Sequence, residues 1–150
     1  MPDITSTLTD FETEVIQNIS DTMKKPFGYI RTLHKFLKNF GTGAPWDTKF
    51  SPFFPGRDSL GQKQYAIYKN EAVSGNDISN IFYAHMCKYI KLPKFMAKLC
   101  AKLDANGVLE ILSKNRLPNK QLRHFKDTDL DQMAINKGYK DFDIRKYKIK

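Results

Sequence analysis

Three short segments of the chain carry side chains suited to acid–base or phosphate chemistry. They are PWDTKF (45–50), SNIFYAHM (79–86) and KDTDLDQMAINKGY (126–139). Together they hold carboxylates, lysines, a histidine and amide groups, which are residue types that general acid–base catalysis uses. Several familiar sites are excluded, because the three histidines lie far apart and no C-x-x-C, H-E-x-x-H, Gly-rich phosphate loop or G-x-S-x-G elbow is present.

The first segment lies in a stretch, 41–62, where Gly and Pro recur too densely for a regular element. The stretch also holds Trp46 and three phenylalanines, so we expect a loop pinned against the core. Lys49, with Asp47 nearby, would stabilise a developing oxyanion, whereas the structural alternative is a weak loop salt bridge. Trp46 is most simply a core anchor, and stacking on a base or sugar is its functional alternative.

The second segment repeats apolar residues at helical spacing, and Asp77 is expected to cap a helix over 78–91. Asn80 and Tyr83 are three residues apart and would face one cleft. His85 lies near the apolar face and would act as a general base or acid near neutral pH. A histidine at the edge of the core whose ring nitrogens form hydrogen bonds within the protein is the more common outcome for such a position.

The third segment places Asp127 and Asp131 four residues apart. Paired carboxylates can share a proton, hold a divalent cation or divide acid and base roles. The residues alone favour a structural interpretation, in which helix-start acids offset the helix dipole. Gln132 would complete a capping box with Asp129. We predict no metal and no other cofactor, although a divalent cation at this pair is compatible with the sequence.

Hydrophobic periodicity predicts a mainly α fold, a compact single helical domain with a long ordered aromatic loop and at most a short strand or hairpin. A Thr9–Glu12 capping box would open the first helix, and Pro26 would separate it from an antiparallel second helix. Their apolar stripes would be Phe11, Val15, Ile19 and Met23, and Phe27, Ile30, Leu33, Phe36, Leu37 and Phe40. A strand is predicted within 63–70. Further helices are predicted at 94–107, at 108–115, and from Asp129 to Gly138.

The length and the net charge of the chain limit the class of protein. A chain of 150 residues suits one domain with a real core, and 25 Lys+Arg against 16 Asp+Glu give a net charge of +9 that attracts polyanions. Cys87 and Cys100 are expected to be buried thiols, with a single bridge between neighbouring helices as the alternative. The first residues lack a signal peptide's apolar region, and no window approaches the roughly 18 apolar residues of a membrane span.

Taken together, the three segments resemble the bacterial polymorphic toxin type 44 family over about residues 41–140. The family's W-D-x-K, G-N-x-x-Y-G and D-x-x-x-D-Q-x-x-I-x-x-G elements are matched by Trp46, Asp47 and Lys49, by Asn80, Ile81 and Tyr83, and by Asp127, Asp131, Gln132, Ile135 and Gly138. The chain departs from the pattern at Ser79 and Ala84, where Gly is expected, and at Phe82, where His is common. His85 could replace that histidine.

The resemblance implies an antibacterial toxin domain, delivered into a target bacterial cell and paired with a cognate immunity protein. We expect a monomer made in the cytoplasm, secreted without a cleavable signal, with a secretion-system component or chaperone as partner. The chain would divide into an N-terminal helical pair (1–40), a family-like catalytic region (41–140) and a basic tail (141–150), strand-like or frayed.

The expected activity is that of an RNase-like nuclease. His85 would deprotonate the 2′-hydroxyl, Lys49 would stabilise the phosphorane with Asp47 nearby, and Asp127 or Asp131 would orient or reprotonate. Substrate would contact Trp46, Asn80, Tyr83 and Gln132. This interpretation requires the three segments to converge on one basic-rimmed cleft.

Two alternatives remain open. The first is a peptidoglycan-cleaving toxin of the glycan hydrolase type, which acts in the periplasm and uses two carboxylates. The second is a non-enzymatic interaction module, such as an immunity or adaptor protein, in which the basic surface and the aromatic loop form an interface. The positive charge argues against an immunity protein for a basic nuclease, because such proteins tend to be acidic.

Overall fold

A computed structural model describes residues 1–40, 45–46, 65–105 and 129–150, with side chains throughout except at 102–105 and 129–131. The described residues form five α-helices and one hairpin, which confirms the mainly α fold. The elements in chain order are α1 (Thr5–Met23), α2 (Gly28–Asn39), β1 (Tyr65–Tyr68), β2 (Glu71–Ser74), α3 (Gly75–Tyr89), α4 (Lys94–Ala105), α5 (Asp129–Asp141) and a 3-10 helix (Ile144–Lys146). The predicted helix at 108–115 lies outside the described residues.

Helix α1 begins four residues before the predicted capping box, which is therefore wrong. Asp3 Oδ1 accepts a hydrogen bond from the Thr5 backbone N–H at 3.0 Å, and this contact satisfies an N-terminal donor. Thr9 lies inside the helix, where its hydroxyl donates to the Thr5 carbonyl at 2.9 Å. Glu12 is consequently free of any capping role, and its side chain is buried in the core.

The pairing of α1 with α2 follows the predicted antiparallel order, since Gly28 lies against Met23 and Lys35 Nζ donates to Asn18 Oδ1 at 2.8 Å. The predicted apolar stripe of α2 is only partly correct, because Phe27 and Ile30 are exposed. A Cβ at Gly28 would lie 2.3 Å from the Met23 carbonyl oxygen. This close approach turns another face of α2 inward, and the buried residues there are Gly28, Thr32 and Phe36.

The predicted strand is β1, and it pairs with β2 in an antiparallel hairpin. Lys69 and Asn70 form the two-residue turn with φ values of 50° and 67°. Positive φ at both central positions is the signature of a type I′ turn, which suits the twist of a hairpin. The chain start adds to this sheet, because Ile4 N–H donates to the Ile67 carbonyl at 2.9 Å.

Helix α3 forms the centre of the core and starts at Gly75, three residues earlier than predicted. Ser74 is its N-cap, and a capping box joins the Ser74 and Asp77 side chains to each other's backbone N–H groups. Asp77 is thus the third residue of the helix rather than its cap. The buried residues of α3 are Ile78, Ile81, Phe82, Ala84, His85, Met86 and Cys87.

Helix α5 packs closely against α3 through Gly138. A Cβ at this position would lie 2.5 Å from the Ala84 Cβ and 2.9 Å from the Ile81 carbonyl oxygen. The glycine was predicted to end the helix, but α5 continues to Asp141, so that prediction is wrong. The extra turn brings Asp141 to the side of His85.

The basic tail is neither a strand nor frayed. Its 3-10 helix, Ile144–Lys146, is capped by Asp143, whose side chain accepts from the Arg145 backbone N–H at 3.0 Å. The last residue, Lys150, donates its backbone N–H to Gln17 Oε1 at 2.8 Å, so the tail rests on α1. Among the described residues, no helix is both long and apolar enough to cross a bilayer.

Candidate functional site

A buried histidine bridges two carboxylates at the centre of the molecule. His85 Nδ1 lies 2.7 Å from Glu12 Oε1, and its Nε2 lies 3.1 Å from Asp141 Oδ2. A neutral imidazole can donate from only one nitrogen, whereas the imidazolium donates from both. Since both acceptors are carboxylates, the arrangement favours the charged imidazolium. The side chains of His85 and Glu12 are only 1% and 2% exposed.

The network continues from Asp141 to the surface at Lys69. Lys69 Nζ lies 2.6 Å and 2.7 Å from the two Asp141 carboxylate oxygens. The Tyr68 hydroxyl also donates to Asp141 Oδ2, at 3.2 Å. Lys69 and Asp141 are 34% and 23% exposed at their side chains, so this end of the network is partly open to solvent. We call Glu12, His85, Asp141 and Lys69 the charge network.

Each member of the charge network comes from a different element. Glu12 lies on α1, His85 on the central helix α3, Asp141 at the last residue of α5, and Lys69 at the hairpin turn. The Lys69 backbone N–H donates to Thr5 Oγ1 at 2.9 Å, which fixes the turn against the start of α1. The network therefore forms only when the helices and the hairpin have packed together.

Aromatic side chains enclose the buried end of the network. The Tyr147 hydroxyl donates to Glu12 Oε2 in a short contact. The Phe142 ring lies against the His85 ring, with centroids 5.7 Å apart, and stacks on the Tyr147 ring at the same separation. These rings keep water from Glu12 and His85, which strengthens the electrostatic interactions between them.

The ionisation of the network follows from these contacts. Burial alone lowers the pKa of His85, but the hydrogen bonds to Asp141 and Glu12 and their charges outweigh burial and raise the pKa above 6.5. The hydrogen bond from His85 is the largest influence on Asp141, and with the contribution of Lys69 it lowers the pKa of that carboxyl strongly despite burial. Burial, followed by the nearby charges of Glu12 and Asp141, raises the pKa of Tyr68 far above its usual value.

Of the predicted catalytic residues, His85 is the one whose side chain the structure describes. Both of its ring nitrogens contact carboxylates, and its side chain is buried, so in this arrangement it does not face an incoming substrate. Asp47, Lys49 and Asp127 lie outside the described residues. Asp131 lies on α5, in a part of that helix whose side chains are not described. The roles assigned to these three carboxylates and one amine remain predictions.

The predicted substrate-contacting residues make internal contacts. Trp46 is 9% exposed and packs edge-on against Phe40, with ring centroids 5.2 Å apart, which supports the core-anchor interpretation. The Tyr83 hydroxyl donates to the Ala97 carbonyl at 2.8 Å, and Asn80 Nδ2 donates to the carbonyl one turn earlier at 3.0 Å. Gln132 is half-buried on α5 and also has an interaction partner.

Two of the three predicted segments meet at one phenylalanine. Phe40 contacts both Trp46 and Tyr83, with ring centroids 5.2 Å apart in each pair. The third segment reaches α3 through Gly138. The convergence of Lys49, Asn80 and Asp131 on a single cleft falls partly on undescribed residues and remains a prediction.

The structure also contains a shallow groove of about 440 Å³ between α1 and α2, with Trp46 on its wall. Its polar side chains are Glu14, Asn18, Lys35 and Asn39. Lys35 already donates to Asn18, and Asn39 donates to the Lys35 carbonyl at 2.8 Å, so these groups chiefly tie the two helices together. The groove is separate from the charge network and does not contain its residues.

Three members of the charge network were not identified from the sequence: Glu12, Lys69 and Asp141. A signal existed for Glu12, because it follows Leu8 by four residues and precedes Ile16 by four on the apolar face of α1. Acidic side chains are almost never fully buried unless paired, so this position implies a basic or protonated partner. No comparable local pattern marks Lys69 or Asp141.

The described residues hold no group of three or more His, Cys, Asp or Glu side chains arranged to bind a metal ion. Cys87 is buried and Cys100 is half-buried, and both are free thiols. Comparisons of this chain with protein-family models, with curated proteins and with solved structures find no match.

Proposed function

We propose that this chain is an antibacterial effector domain that cleaves nucleic acid, RNA in the first instance, at the partly exposed Lys69–Asp141 end of the charge network. The observation that carries the proposal is a carboxylate and an ammonium group held 2.6 Å apart, partly open to solvent and fixed from behind by a buried histidine. Such a pair offers a proton acceptor beside a cation, which are the two groups that phosphodiester transfer requires.

In the proposed reaction Lys69 binds a non-bridging phosphate oxygen. The substrate 2′-oxygen then bonds to phosphorus as the bond to the 5′-oxygen breaks, and Asp141 takes the 2′-hydroxyl proton. Water gives a proton to the departing 5′-oxygen, and the hydroxide that remains takes the proton back from Asp141. Lys69 neutralises the charge that develops on the phosphorane. When Lys69 turns to the phosphate, Asp141 loses a partner that lowers its pKa, so it becomes a stronger base.

His85 and Glu12 are positioning residues in this proposal. The direct base role predicted for His85 passes to Asp141, because the imidazole is engaged on both sides and Asp141 is the carboxylate that solvent reaches. The imidazolium fixes the orientation of Asp141, and Glu12 balances the charge of the imidazolium. A preorganised site of this kind undergoes little reorganisation during the reaction.

The charge of the chain supports a polyanionic substrate. A net charge of +9 over 150 residues raises the local concentration of nucleic acid by long-range attraction. The resemblance to the type 44 toxin family, with its immunity protein and its delivery between bacteria, belongs to this proposal. The roles predicted for Asp47, Lys49, Asp127 and Asp131 are additions to it that further structures can test.

The test begins with purified protein and separate substrates: total RNA, duplex DNA and purified peptidoglycan. We expect RNA to be cut by the wild type and by Lys91→Gln, and to survive with Lys69→Gln. Lys91 is a matched control, because it is an exposed lysine that also has a left-handed backbone, with φ of 61°. If the protein digested peptidoglycan and left nucleic acid intact, the result would contradict the proposed nuclease and support a cell-wall hydrolase.

Expression in bacteria gives a second, independent readout. We expect the wild type to arrest growth when it is made in the cytoplasm and to be tolerated when a signal sequence directs it to the periplasm. Lysis confined to periplasmic expression would contradict the proposal, because nucleic acid is not the target in that compartment. Equal toxicity of the wild type and Lys69→Gln would contradict the placement of the site.

A further inference from the structure

We propose that the exposed side of α2 binds an anionic lipid surface. Phe27, Ile30 and Leu37 enter the headgroup region, and the neighbouring lysine and arginine side chains bind lipid phosphates. The inference goes beyond the proposed function and does not depend on it, because this surface shares no residue with the charge network.

Helix α2 carries more apolar side chains than its contact with α1 uses. The residues that it buries are Gly28, Thr32 and Phe36. On the other side Phe27, Ile30 and Leu37 are 77%, 66% and 40% exposed. Exposed apolar side chains that continue along one side of a helix mark an interaction surface, whereas scattered ones do not. The outer side of α2 is therefore a candidate interface.

Phe27 occupies a strained position at the turn between α1 and α2. Its φ of 55° lies in the left-handed region, which a bulky residue rarely adopts and which Gly or Asn adopts more readily. Arg31 holds the turn, because its backbone N–H donates to the Phe27 carbonyl at 3.0 Å and its Nε donates to the Pro26 carbonyl at 2.9 Å. The turn alone does not explain a phenylalanine here, and residues held in such conformations cluster at functional sites. The exposed ring is thus placed for a contact outside the chain.

The charges beside these apolar residues are all positive. Residues 22–40 contain five Lys and Arg and no Asp or Glu. Arg31 and Lys38 are exposed and lie seven residues apart, which is about two helical turns, and the same spacing separates Ile30 from Leu37. The outer side of α2 therefore carries a basic row directly beside an apolar row.

These positive charges lack a partner of opposite sign within the described part of the chain. Lys24, Lys25 and Lys38 are exposed and form no ion pair with a described residue. Asp21 is the acid closest along the chain, and its carboxylate accepts from Gln17 at 3.1 Å. The surface therefore favours a partner that supplies negative charge.

An anionic lipid surface is complementary to both rows at once. Its phosphates accept from the lysine and arginine side chains, and its acyl region takes up Phe27 and the apolar row, which removes apolar surface from water. Nucleic acid supplies the phosphates but leaves the apolar side chains in water. A helix that presents basic and apolar residues side by side is typical of a segment that lies along a membrane surface.

The lipid-binding side begins at the end of α1 opposite to the charge network. Thr5, the first residue of α1, holds the turn that carries Lys69, whereas Phe27 follows the last residue of α1 by four positions. With a rise of about 1.5 Å per residue, the 19 residues of α1 span about 28 Å. Substitution of Phe27 should therefore leave RNA cleavage unchanged.

The test is co-sedimentation of the full chain with vesicles, made either of phosphatidylglycerol and phosphatidylcholine in equal parts or of phosphatidylcholine alone. We expect the wild type to bind the mixed vesicles and to remain in solution with phosphatidylcholine alone. Phe27→Asn should bind the mixed vesicles about tenfold more weakly, because its ring no longer enters the lipid. Met133→Gln replaces an exposed apolar residue of α5 and should bind like the wild type. Thermal unfolding should show Phe27→Asn to be at least as stable as the wild type, since asparagine tolerates a left-handed backbone.

Two double variants separate the basic row from the net charge of the protein. Lys24→Gln with Lys38→Gln and Lys140→Gln with Lys148→Gln remove the same charge from exposed lysines. We expect binding to the mixed vesicles to weaken about tenfold in the first double variant and to change little in the second. Equal weakening in the two would overturn the proposal, because net charge alone would then account for the binding.

Other results would assign this side of α2 to a different partner. Equal binding of the wild type and Phe27→Asn to the mixed vesicles, or equal binding of the wild type to both kinds of vesicle, would overturn the proposal. A dimer or an RNA complex that Phe27→Asn abolishes, in a protein that binds no vesicles, would also overturn it and assign the surface to a second copy or to nucleic acid.

The same experiment separates the inference from the proposed function. Vesicle binding that depends on Phe27, in a protein that cuts no RNA, would sustain the lipid-binding surface and overturn the nuclease. RNA cleavage by a protein that binds no vesicles would sustain the nuclease and overturn the lipid-binding surface.

Discussion

Glu12 Oε1 and His85 Nδ1 lie 2.7 Å apart in the core, although 73 residues separate them in the chain. This pair joins α1 to the central helix α3, and both side chains are almost entirely removed from solvent. Removing a charge from water is expensive, and the attraction within a pair offsets that cost only when the hydrogen-bonding geometry is good. Here Tyr147 and Asp141 supply the remaining hydrogen bonds to Glu12 and His85.

Replacing Glu12 should therefore be strongly destabilising. We expect Glu12→Ala to lower the free energy of unfolding by about 3–5 kcal/mol, because the buried imidazolium loses the carboxylate that balances it. Glu14→Ala is the matched control on the same helix, and as an exposed site it should change stability by no more than about 0.5 kcal/mol. Urea unfolding measures both values. Equal values for the two variants would contradict the buried ion pair.

The stability of the protein should depend on pH through His85. A raised native pKa means that the folded state holds this proton more tightly than the unfolded chain does. The resulting stabilisation is fully present below about pH 6.5, the pKa of an ordinary histidine, and is lost as the pH rises through the higher native pKa. Asp141 has a lowered native pKa, so its contribution is present above pH 3.8 and is lost as the pH falls from there through that native pKa.

Urea unfolding across a pH series checks this dependence. Wild type and His34→Gln should lose stability in parallel on the alkaline side, because His34 is exposed and lies outside the network. His85→Gln should be less stable throughout and lack the alkaline loss. If His85→Gln lost the same amount of stability at alkaline pH, the pH dependence would have to arise from another group.

The contact between α5 and α3 at Gly138 should not tolerate a methyl group. A Cβ there would clash with the Ala84 Cβ and the Ile81 carbonyl oxygen. Overpacking of this kind costs about 1–3 kcal/mol, whereas glycine-to-alanine in an unhindered helix stabilises by about 1 kcal/mol. We expect Gly138→Ala to be destabilised in thermal unfolding and Lys140→Ala, at an exposed site of the same helix, to be near neutral. A stabilised Gly138→Ala would contradict the close approach.

The Tyr83 hydroxyl should contribute to stability rather than to substrate binding. It donates to the Ala97 carbonyl and thereby ties α3 to α4. Tyr83→Phe removes this hydrogen bond, and we expect a loss of about 1 kcal/mol in unfolding free energy. Tyr29→Phe, at an exposed tyrosine on α2, is the control and should be near neutral. A raised KM for nucleic acid with unchanged stability would instead support the substrate contact predicted from the sequence.

Local sequence patterns predicted the helices well and their ends poorly. Apolar periodicity identified α1 to α4 and the strand β1, because a buried helix face or strand face repeats regularly in the sequence. The predicted capping box at Thr9 and the predicted end at Gly138 were wrong for physical reasons. The helix α1 starts at Thr5, where Asp3 accepts from the first N–H, and Gly138 serves the packing of α5 on α3 instead of ending the helix.

The charge network could not be predicted in the same way. Its contacts join residues 73 and 56 positions apart, and only the packing of α1, α3 and α5 brings them together. His85 was identified because histidine is chemically conspicuous. Its buried contacts agree with the structural alternative of a hydrogen-bonded histidine at the core edge, and the catalytic role predicted for it stays a prediction. Lys69 lies in a turn at a left-handed backbone position that does not favour lysine. Turn propensity therefore gave no reason to expect a lysine there.

The most direct test of the proposed function compares RNA cleavage by two neighbouring aspartate variants under single-turnover conditions. Asp141→Asn removes the proposed proton acceptor, and we expect the cleavage rate to fall by about 10²–10⁴-fold. Asp143→Asn changes an aspartate two residues away that pairs with Arg145, and it should cleave at the wild-type rate. Cleavage by folded Asp141→Asn at the wild-type rate would contradict the account.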